Sequence, residues 1–136
     1  MSILIDSGIW IGFYNTRDQY HEKAAQTMKE INTGKFGAIF STDYILDESL
    51  NYCLTKYSPD KSIFVGEAIM NTTDMIKISQ DILDESWDLF KKDKENAADQ
   101  KFLSFTDATT IVASKLLGIA HVATFDSRFR KYVKTI

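Results

Sequence analysis

Short apolar runs alternate with amphipathic segments along the chain, and this alternation restricts the fold more than any other feature of the sequence. The apolar runs resemble buried strands and occupy residues 2–5, 37–41, 75–79 and 120–125, with a further short strand possible near 131–135. The segments between them carry apolar residues at helical spacing and predict helices over residues 19–33, 42–57, 60–72, 81–98 and 105–117. Strands that alternate with helices form a parallel sheet with helices on both faces. The sequence therefore predicts an α/β fold.

Residues at the ends of the predicted helices support this assignment. Asp18 can cap the helix over 19–33, and Thr42 precedes the next helix. Ser58 can cap a helix that Pro59 opens. The core between sheet and helices is expected to contain aromatic side chains from several elements, namely Trp10, Phe13, Trp87 and Phe105.

Length and composition favour a single domain over residues 1–136. The chain has 44% hydrophobic and 26% charged residues, and it contains no repeat and no Pro/Gly/Ser-rich linker. Its single cysteine, Cys53, excludes an internal disulfide, which agrees with a reducing cytoplasm. No apolar stretch approaches the ~18 residues that span a membrane. We expect a cytoplasmic protein without membrane contact.

Four acidic residues stand where the chain leaves a predicted strand or enters a predicted helix. They are Asp6, Glu48, Asp107 and Asp126. Open α/β folds bind their ligands at the carboxyl ends of the strands, where such residues can meet although they are far apart in the chain. We therefore expect these four carboxylates to share one pocket, with the hydroxyls of Ser7 and Thr124 beside them.

Glu48 is preferred over its neighbour Asp47 because of their positions on the helix. Residues four apart lie on one face of a helix. Glu48 shares its row with Tyr44 and Tyr52, which favours a partly sheltered position. The row of Asp47 is wholly polar, so Asp47 is expected to face water.

Each of the other acids also has a structural interpretation. Asp6 can cap the short helix that follows it. Asp107 can complete a capping box with Ser104, or it can be the first helical residue after a Thr106 cap. Asp126 can form a turn. Capping does not exclude metal binding, because a helix N-terminus favours the ionised carboxylate that a metal ligand requires.

The physics of clustered carboxylates predicts a bound cation. Two carboxylates ~5 Å apart repel each other by roughly 3 kcal/mol at an effective dielectric constant near 20. Four of them would either take up protons or bind a cation, and all-oxygen ligation favours Mg²⁺ or Mn²⁺ over zinc. Such an ion can polarise a phosphate and generate hydroxide from water.

The C-terminal segment carries positive charge that suits a phosphodiester substrate. After Asp126 it contains Arg128, Arg130, Lys131 and Lys134 and no acid, although the whole chain has a net charge of −3. Arg128 and Arg130 are therefore candidates for binding a nucleic-acid backbone, and a solvated surface is the alternative. The sequence contains no Walker loop and no GxGxxG motif, so a nucleotide cofactor is not expected.

In order and spacing, these residues resemble those of the PIN-domain nucleases, in particular the VapC-type toxins of toxin–antitoxin pairs. The resemblance covers essentially the whole chain and depends on Ile5-Asp6-Ser7, Glu48, the segment 104–108 and the segment 124–126. It implies a three-layer α/β/α fold with a central parallel sheet of four to five strands.

The resemblance also implies a metal centre and partners. Asp6, Glu48, Asp107 and Asp126 would bind Mg²⁺ or Mn²⁺, supported by Ser7 and Thr124. The expected substrate is single-stranded or structured RNA, and the expected protein partners are an antitoxin and a second copy of the chain. Family members often carry another acid close to the last one, which this chain lacks, so one well-held ion is expected.

Two other functions remain open at this stage. One is a PIN-fold module that binds RNA or protein without cutting, although four retained carboxylates argue against it. The other is a phosphoacceptor domain of the receiver type, for which Asp6 offers only a single acid after the first strand and Asp81 follows the third.

Overall fold

A four-stranded parallel sheet forms the centre of the molecule in the computed structural model, which describes residues 1–96 and 101–136. Its strands are β1 (Ser2–Ile5), β2 (Ala38–Thr42), β3 (Asp74–Ile76) and β4 (His121–Ala123). Their order is β3-β2-β1-β4, and Ile3 pairs with Ile39 on one side and His121 on the other. The predicted α/β fold with a parallel sheet is confirmed.

The sheet is flanked by helices that begin and end close to the predicted positions. These are α1 (Ser7–Tyr14), α2 (His21–Ile31), α3 (Asp43–Lys56), α4 (Pro59–Thr72), α5 (Gln80–Asn96) and α6 (Phe105–Leu116). A 3-10 helix over Ser127–Lys131 follows β4. Residues 97 and 98, the end of the predicted helix 81–98, lie outside the described residues. No helix within residues 1–96 and 101–136 combines the length and the apolar character that crossing a bilayer requires.

The predicted caps of α3 and α4 are present. The Thr42 hydroxyl accepts a hydrogen bond from the backbone N–H of Ile45 at 3.0 Å, and the Ser58 hydroxyl accepts one from Lys61 at 3.1 Å. The prediction for Asp18 is wrong, because α2 begins at His21, and Asp18 accepts instead from the backbone N–H of Tyr20. Asp18 thus stabilises the turn that leads into α2.

The largest core cluster surrounds β1, whose residues Ile3, Leu4 and Ile5 are fully buried. Trp10 packs beside them, and its indole N–H donates to the carbonyl of Ile5 at 3.2 Å. The prediction of a core position for Trp87 is wrong, since 52% of this residue is exposed. Its helix α5 buries a different stripe of residues.

The predicted fifth strand is reduced to a single bridge. Thr135 pairs in parallel with Val122 of β4, and hydrogen bonds from Val122 to Lys134 (2.9 Å) and from Ile136 to Val122 (3.1 Å) accompany the bridge. The 3-10 helix occupies the residues just before it, which leaves too little chain for a strand. The C-terminal segment lies along the outer edge of β4 and covers it.

Candidate active site

Asp6 lies at the carboxyl end of β1, buried and held by two hydrogen bonds. Only 7% of the residue is exposed. Its Oδ1 accepts from the backbone N–H of Ser7 at 2.9 Å, which makes Asp6 the N-cap of α1. Its Oδ2 accepts from the hydroxyl of Thr124, just after β4, at 2.8 Å. The carboxylate is therefore fixed between two neighbouring strands of the sheet.

Glu48 reaches the same place from α3. The hydroxyl of Ser7 donates to Oε1 of Glu48, so Ser7 links α1 to α3. The side chain of Glu48 is half-buried, whereas Asp47 is exposed and accepts from Asn51 at 3.2 Å. The predicted difference in exposure between the two neighbouring acids is confirmed.

Asp107 approaches from the first turn of α6. Its Oδ2 accepts from the backbone N–H of Ser104 at 2.9 Å, and the hydroxyl of Ser104 accepts from the backbone N–H of Asp107 at 3.0 Å. Of the two capping arrangements that the sequence allowed, the structure contains the capping box with Ser104. This box fixes the direction of the Asp107 carboxylate.

Asp126 lies beside the other acids but is paired with Arg128. Its carboxylate accepts from the Nε of Arg128 at 2.9 Å and from its Nη2 at 2.6 Å. The Nη1 of Arg128 donates to the carbonyl of Phe102. The backbone N–H of Asp126 donates to the hydroxyl of Thr124 at 3.1 Å, and this hydroxyl in turn donates to Asp6. Arg130, the other predicted backbone-binding residue, is exposed.

Electrostatics indicate that three of the carboxylates share one unneutralised site. Burial, together with the charges of Asp107 and Glu48, raises the pKa of Asp6 to about 7. Burial also raises the pKa of Asp107, with contributions from Glu48 and Asp126. Partial burial acts to raise the pKa of Asp126, but the hydrogen bonds from Arg128 outweigh it and hold this pKa below its usual range. The site therefore favours either a proton on Asp6 or a cation near Asp6, Glu48 and Asp107.

The donor chemistry of the site fits a hard divalent cation, because all four side chains offer oxygen atoms. In the described parts of the chain, however, no three His, Cys, Asp or Glu side chains are close enough to hold a metal ion. Hydrogen bonds from Ser7, Thr124, Ser104 and Arg128 hold the individual carboxylates instead. A cation would have to draw the carboxylates together.

Comparison with known proteins identifies the family. The PIN domain family matches residues 3–134 of the chain. This chain belongs to the PIN-domain family. It is 30% identical over 129 residues to a VapC ribonuclease of Archaeoglobus fulgidus, a match that covers 95% of this chain and 80% of that protein.

Solved structures share the fold of this PIN-domain chain. One is VapC20 of Mycobacterium tuberculosis, a Sarcin-Ricin loop cleaving toxin, with a TM-score of 0.78, 18% identity, and coverage of 95% of this chain and 93% of that chain. Another is a toxin-antitoxin complex from Klebsiella pneumoniae, with a TM-score of 0.67, 18% identity, and coverage of 98% of this chain and 95% of that chain. The predicted resemblance to PIN-domain toxins is confirmed.

The capping box of the PIN-domain site allows a matched test of how Asp107 is positioned. Ser104→Ala and Ser58→Ala each remove a serine N-cap, so each should lower the free energy of unfolding by ~1 kcal/mol in urea titrations. Only Ser104→Ala should also weaken Mn²⁺ binding in calorimetry, because the Ser104 hydroxyl accepts from the backbone N–H of Asp107 and so fixes the helical turn that carries a carboxylate of the site. An equal loss of Mn²⁺ affinity in both variants would contradict this role for Ser104.

Neither the ion pair of Asp126 with Arg128 nor the hydrogen bond from Arg128 to the carbonyl of Phe102 was predicted from the sequence. The signal was present, because an aspartate two residues before an arginine at a helix start can accept from both its backbone and its guanidinium. The Arg128 side chain is therefore occupied within the PIN domain, whereas the sequence suggested one free to bind substrate.

Proposed function

We propose that this PIN-domain chain is a metal-dependent endoribonuclease that hydrolyses RNA phosphodiester bonds and acts as the toxin of a toxin–antitoxin pair in the cytoplasm. One observation carries the proposal. Asp6, Glu48 and Asp107 come from three different elements; burial and the charges of Asp107 and Glu48 raise the pKa of Asp6, and burial and the charge of Glu48 raise the pKa of Asp107. Capping of α1 and α6 alone does not require Asp6 and Asp107 to lie near enough to Glu48 for its charge to affect them.

The proposed metal ligands are Asp6, Glu48, Asp107 and Asp126, and the proposed ion is Mg²⁺ or Mn²⁺. When bound, such an ion polarises the phosphate and lowers the pKa of water. The protein's own groups provide the positioning. The hydroxyl of Ser7 donates to Glu48, and the hydroxyl of Thr124 donates to Asp6. Both residues are therefore proposed to position the metal ligands.

Arg128 and Arg130 are proposed to bind the RNA backbone. Arg128 now neutralises Asp126, and a substrate phosphate offers its guanidinium two anionic oxygens that can accept hydrogen bonds in the same bidentate way. Transfer of Arg128 from Asp126 to a phosphate would release the fourth carboxylate at the moment substrate arrives. This exchange explains how Asp126 can be both ion-paired in the free protein and a ligand in the working site.

Two protein partners are proposed, an antitoxin and a second copy of the chain. Support for the antitoxin comes from the fold shared with a toxin-antitoxin complex. The helices α3 and α4 also expose apolar side chains that a protein partner could cover, namely Leu54, Ile63, Phe64 and Met70. Such exposed apolar area is typical of interaction surfaces.

Removal and return of metal tests the proposed activity. The purified chain, stripped with a chelator, should leave a labelled single-stranded RNA intact, and added Mn²⁺ or Mg²⁺ should restore internal cleavage because the carboxylates need a cation to act together. The cleavage products are resolved on a denaturing gel. RNA binding without any turnover at saturating Mn²⁺ would instead support a non-catalytic PIN-fold module.

A further inference from the structure

An exposed tryptophan on α5 is the start of a series of aromatic rings that contact one another. Trp87 is 52% exposed, and its ring lies parallel to that of Phe90, with centroids 5.7 Å apart and an interplanar angle of 14°. Phe105 packs edge-on against both rings, at 6.4 Å from Trp87 and 5.8 Å from Phe90. Packing with these neighbours orders the indole but leaves about half of it in water.

The series continues to the carboxylates. The ring of Phe105 lies 6.3 Å from that of Tyr44 on α3. Tyr44 precedes Glu48 by one helical turn on the same face, and Phe105 stands two residues before Asp107 in the first turn of α6. Trp87, Phe90, Phe105 and Tyr44, which we call the aromatic ladder, thus extend from the surface of α5 to the edge of the candidate active site.

Lysines accompany the aromatic ladder. The Nζ of Lys91 lies 5.8 Å from the Trp87 ring centroid, and the Nζ of Lys94 lies 3.5 Å from that of Phe90. Lys91 also pairs with Asp88 at 3.7 Å, with both side chains more than half exposed. Exposed pairs of this kind contribute little, so a phosphate can replace Asp88 as the partner of Lys91. Lys91 thus lies beside the aromatic ladder where a phosphate can pair with it, whereas Lys94 donates to the carbonyl of Leu103 and lies 3.8 Å from Asp93.

We propose that the aromatic ladder binds unpaired bases of the RNA next to the phosphate that is cut. Stacking on aromatic rings beside lysines is how proteins hold single-stranded nucleic acid, because every base has a π-face and every nucleotide a phosphate. A paired base cannot offer its face, so the ladder favours single-stranded segments. The proposal rests on the proposed action on RNA and adds the residues that bind the bases beside the phosphate that is cut.

Trp87 itself reports on this contact. The chain has two tryptophans, and Trp10 is only 1% exposed, so fluorescence that a soluble quencher can reach comes from Trp87. The probe is a short single-stranded oligoribonucleotide, compared with an abasic strand of the same length that keeps the phosphates. In chelator-treated protein at low salt, the oligoribonucleotide should quench Trp87 and shield it from iodide, and the abasic strand should not.

Three variants separate stacking from charge. Trp87→Ala should weaken binding of the oligoribonucleotide about tenfold in fluorescence anisotropy and leave the abasic strand nearly unaffected. Trp87→Phe should restore most of the loss, because it keeps an aromatic face. Phe64→Ala removes an equally exposed ring from α4 and should change neither affinity.

Four outcomes would overturn the proposal. Equal weakening for both strands in Trp87→Ala would assign the effect to structure or charge. RNA binding without a change in Trp87 fluorescence would contradict the proposed role of the aromatic ladder but not the proposed nuclease activity. If Trp87 fluorescence were quenched as the protein concentration rises in the absence of RNA, the aromatic ladder would be a contact surface for a second copy of the chain. If the unmodified protein did not bind RNA even with Mn²⁺, both the role of the aromatic ladder and the proposed nuclease activity would be contradicted.

Discussion

Asp6→Asn should abolish RNA cleavage while leaving the fold intact. The asparagine Oδ1 can still accept from the backbone N–H of Ser7, so the cap of α1 is retained. The negative charge at the buried end of β1 is lost. Metal-assisted charge stabilisation is worth several kcal/mol, and about 1.36 kcal/mol corresponds to a factor of ten. The rate with saturating Mn²⁺ should therefore fall by roughly a thousandfold or more.

The same substitution should stabilise the metal-free protein, and this second result distinguishes a ligand from a structural acid. The pKa of Asp6 rises from 3.8 to about 7 on folding, so the native state keeps a proton that the unfolded chain loses. This raised pKa favours folding at low pH, and the advantage is lost as the pH rises through 7. At pH 8, Asp6→Asn should be more stable than the unmodified chain by ~1–3 kcal/mol in urea titrations, with little difference at pH 4.

Asp47→Asn is the matched control for both results, because Asp47 is an exposed acid one residue from Glu48. Asp47→Asn should leave the cleavage rate unchanged. It should change the free energy of unfolding at pH 8 by no more than about 0.5 kcal/mol. Asp6 would serve only as the cap of α1 if Asp6→Asn cleaved RNA at the full rate. The same conclusion would follow if this substitution lowered the free energy of unfolding at pH 8 instead of raising it.

The parts of the fold that could be predicted are those with local signals. Thr42 and Ser58 provide hydroxyls where α3 and α4 start, and each hydroxyl accepts the expected backbone hydrogen bond. The apolar run over 2–5 can be buried only between two neighbours, and β1 is indeed a central strand. In these elements the local preference and the tertiary structure agree, which is why the sequence suffices.

The exposure of Trp87 could not be predicted from hydrophobicity. The buried stripe of α5 contains Ile82, Ser86 and Asp93. The hydroxyl of Ser86 donates to the carbonyl of Ile82 at 2.5 Å, and Asp93 accepts from the backbone N–H of Leu103 at 2.8 Å. Because each polar side chain on the buried face has a partner, burying it costs little, and the indole is left on the surface.

The residues of the candidate site could be selected from the sequence because their positions follow from topology, but their contacts could not. Asp6 and Asp107 stand at helix starts and Glu48 in the second turn of α3, and a parallel sheet places the starts of these helices at one edge. The ion pair of Asp126 with Arg128 depends on the 3-10 helix after β4, and the carbonyl of Phe102 that holds Arg128 lies 26 residues away. Contacts at this separation carry no local signal.

The affinity for Mn²⁺ should depend steeply on pH. Metal ligands must be deprotonated, and burial together with neighbouring carboxylates raises the pKa of Asp6 to about 7. Below pH 7 the ion must displace a proton, so the affinity should fall about tenfold for each unit that the pH is lowered. Burial also raises the pKa of Asp107, which adds to this dependence. Above pH 7 the affinity should level off.

Calorimetric titration of the metal-free protein with Mn²⁺ between pH 5.5 and pH 8 measures this dependence, and buffers of different ionisation enthalpy count the protons released. Close to one proton should leave per ion near pH 6 and almost none at pH 8. In Asp6→Asn the remaining affinity should be weak and the proton release near pH 6 largely lost. A Mn²⁺ affinity that stays constant from pH 5.5 to pH 7 would mean that the ion, if it binds, is held away from the buried end of β1.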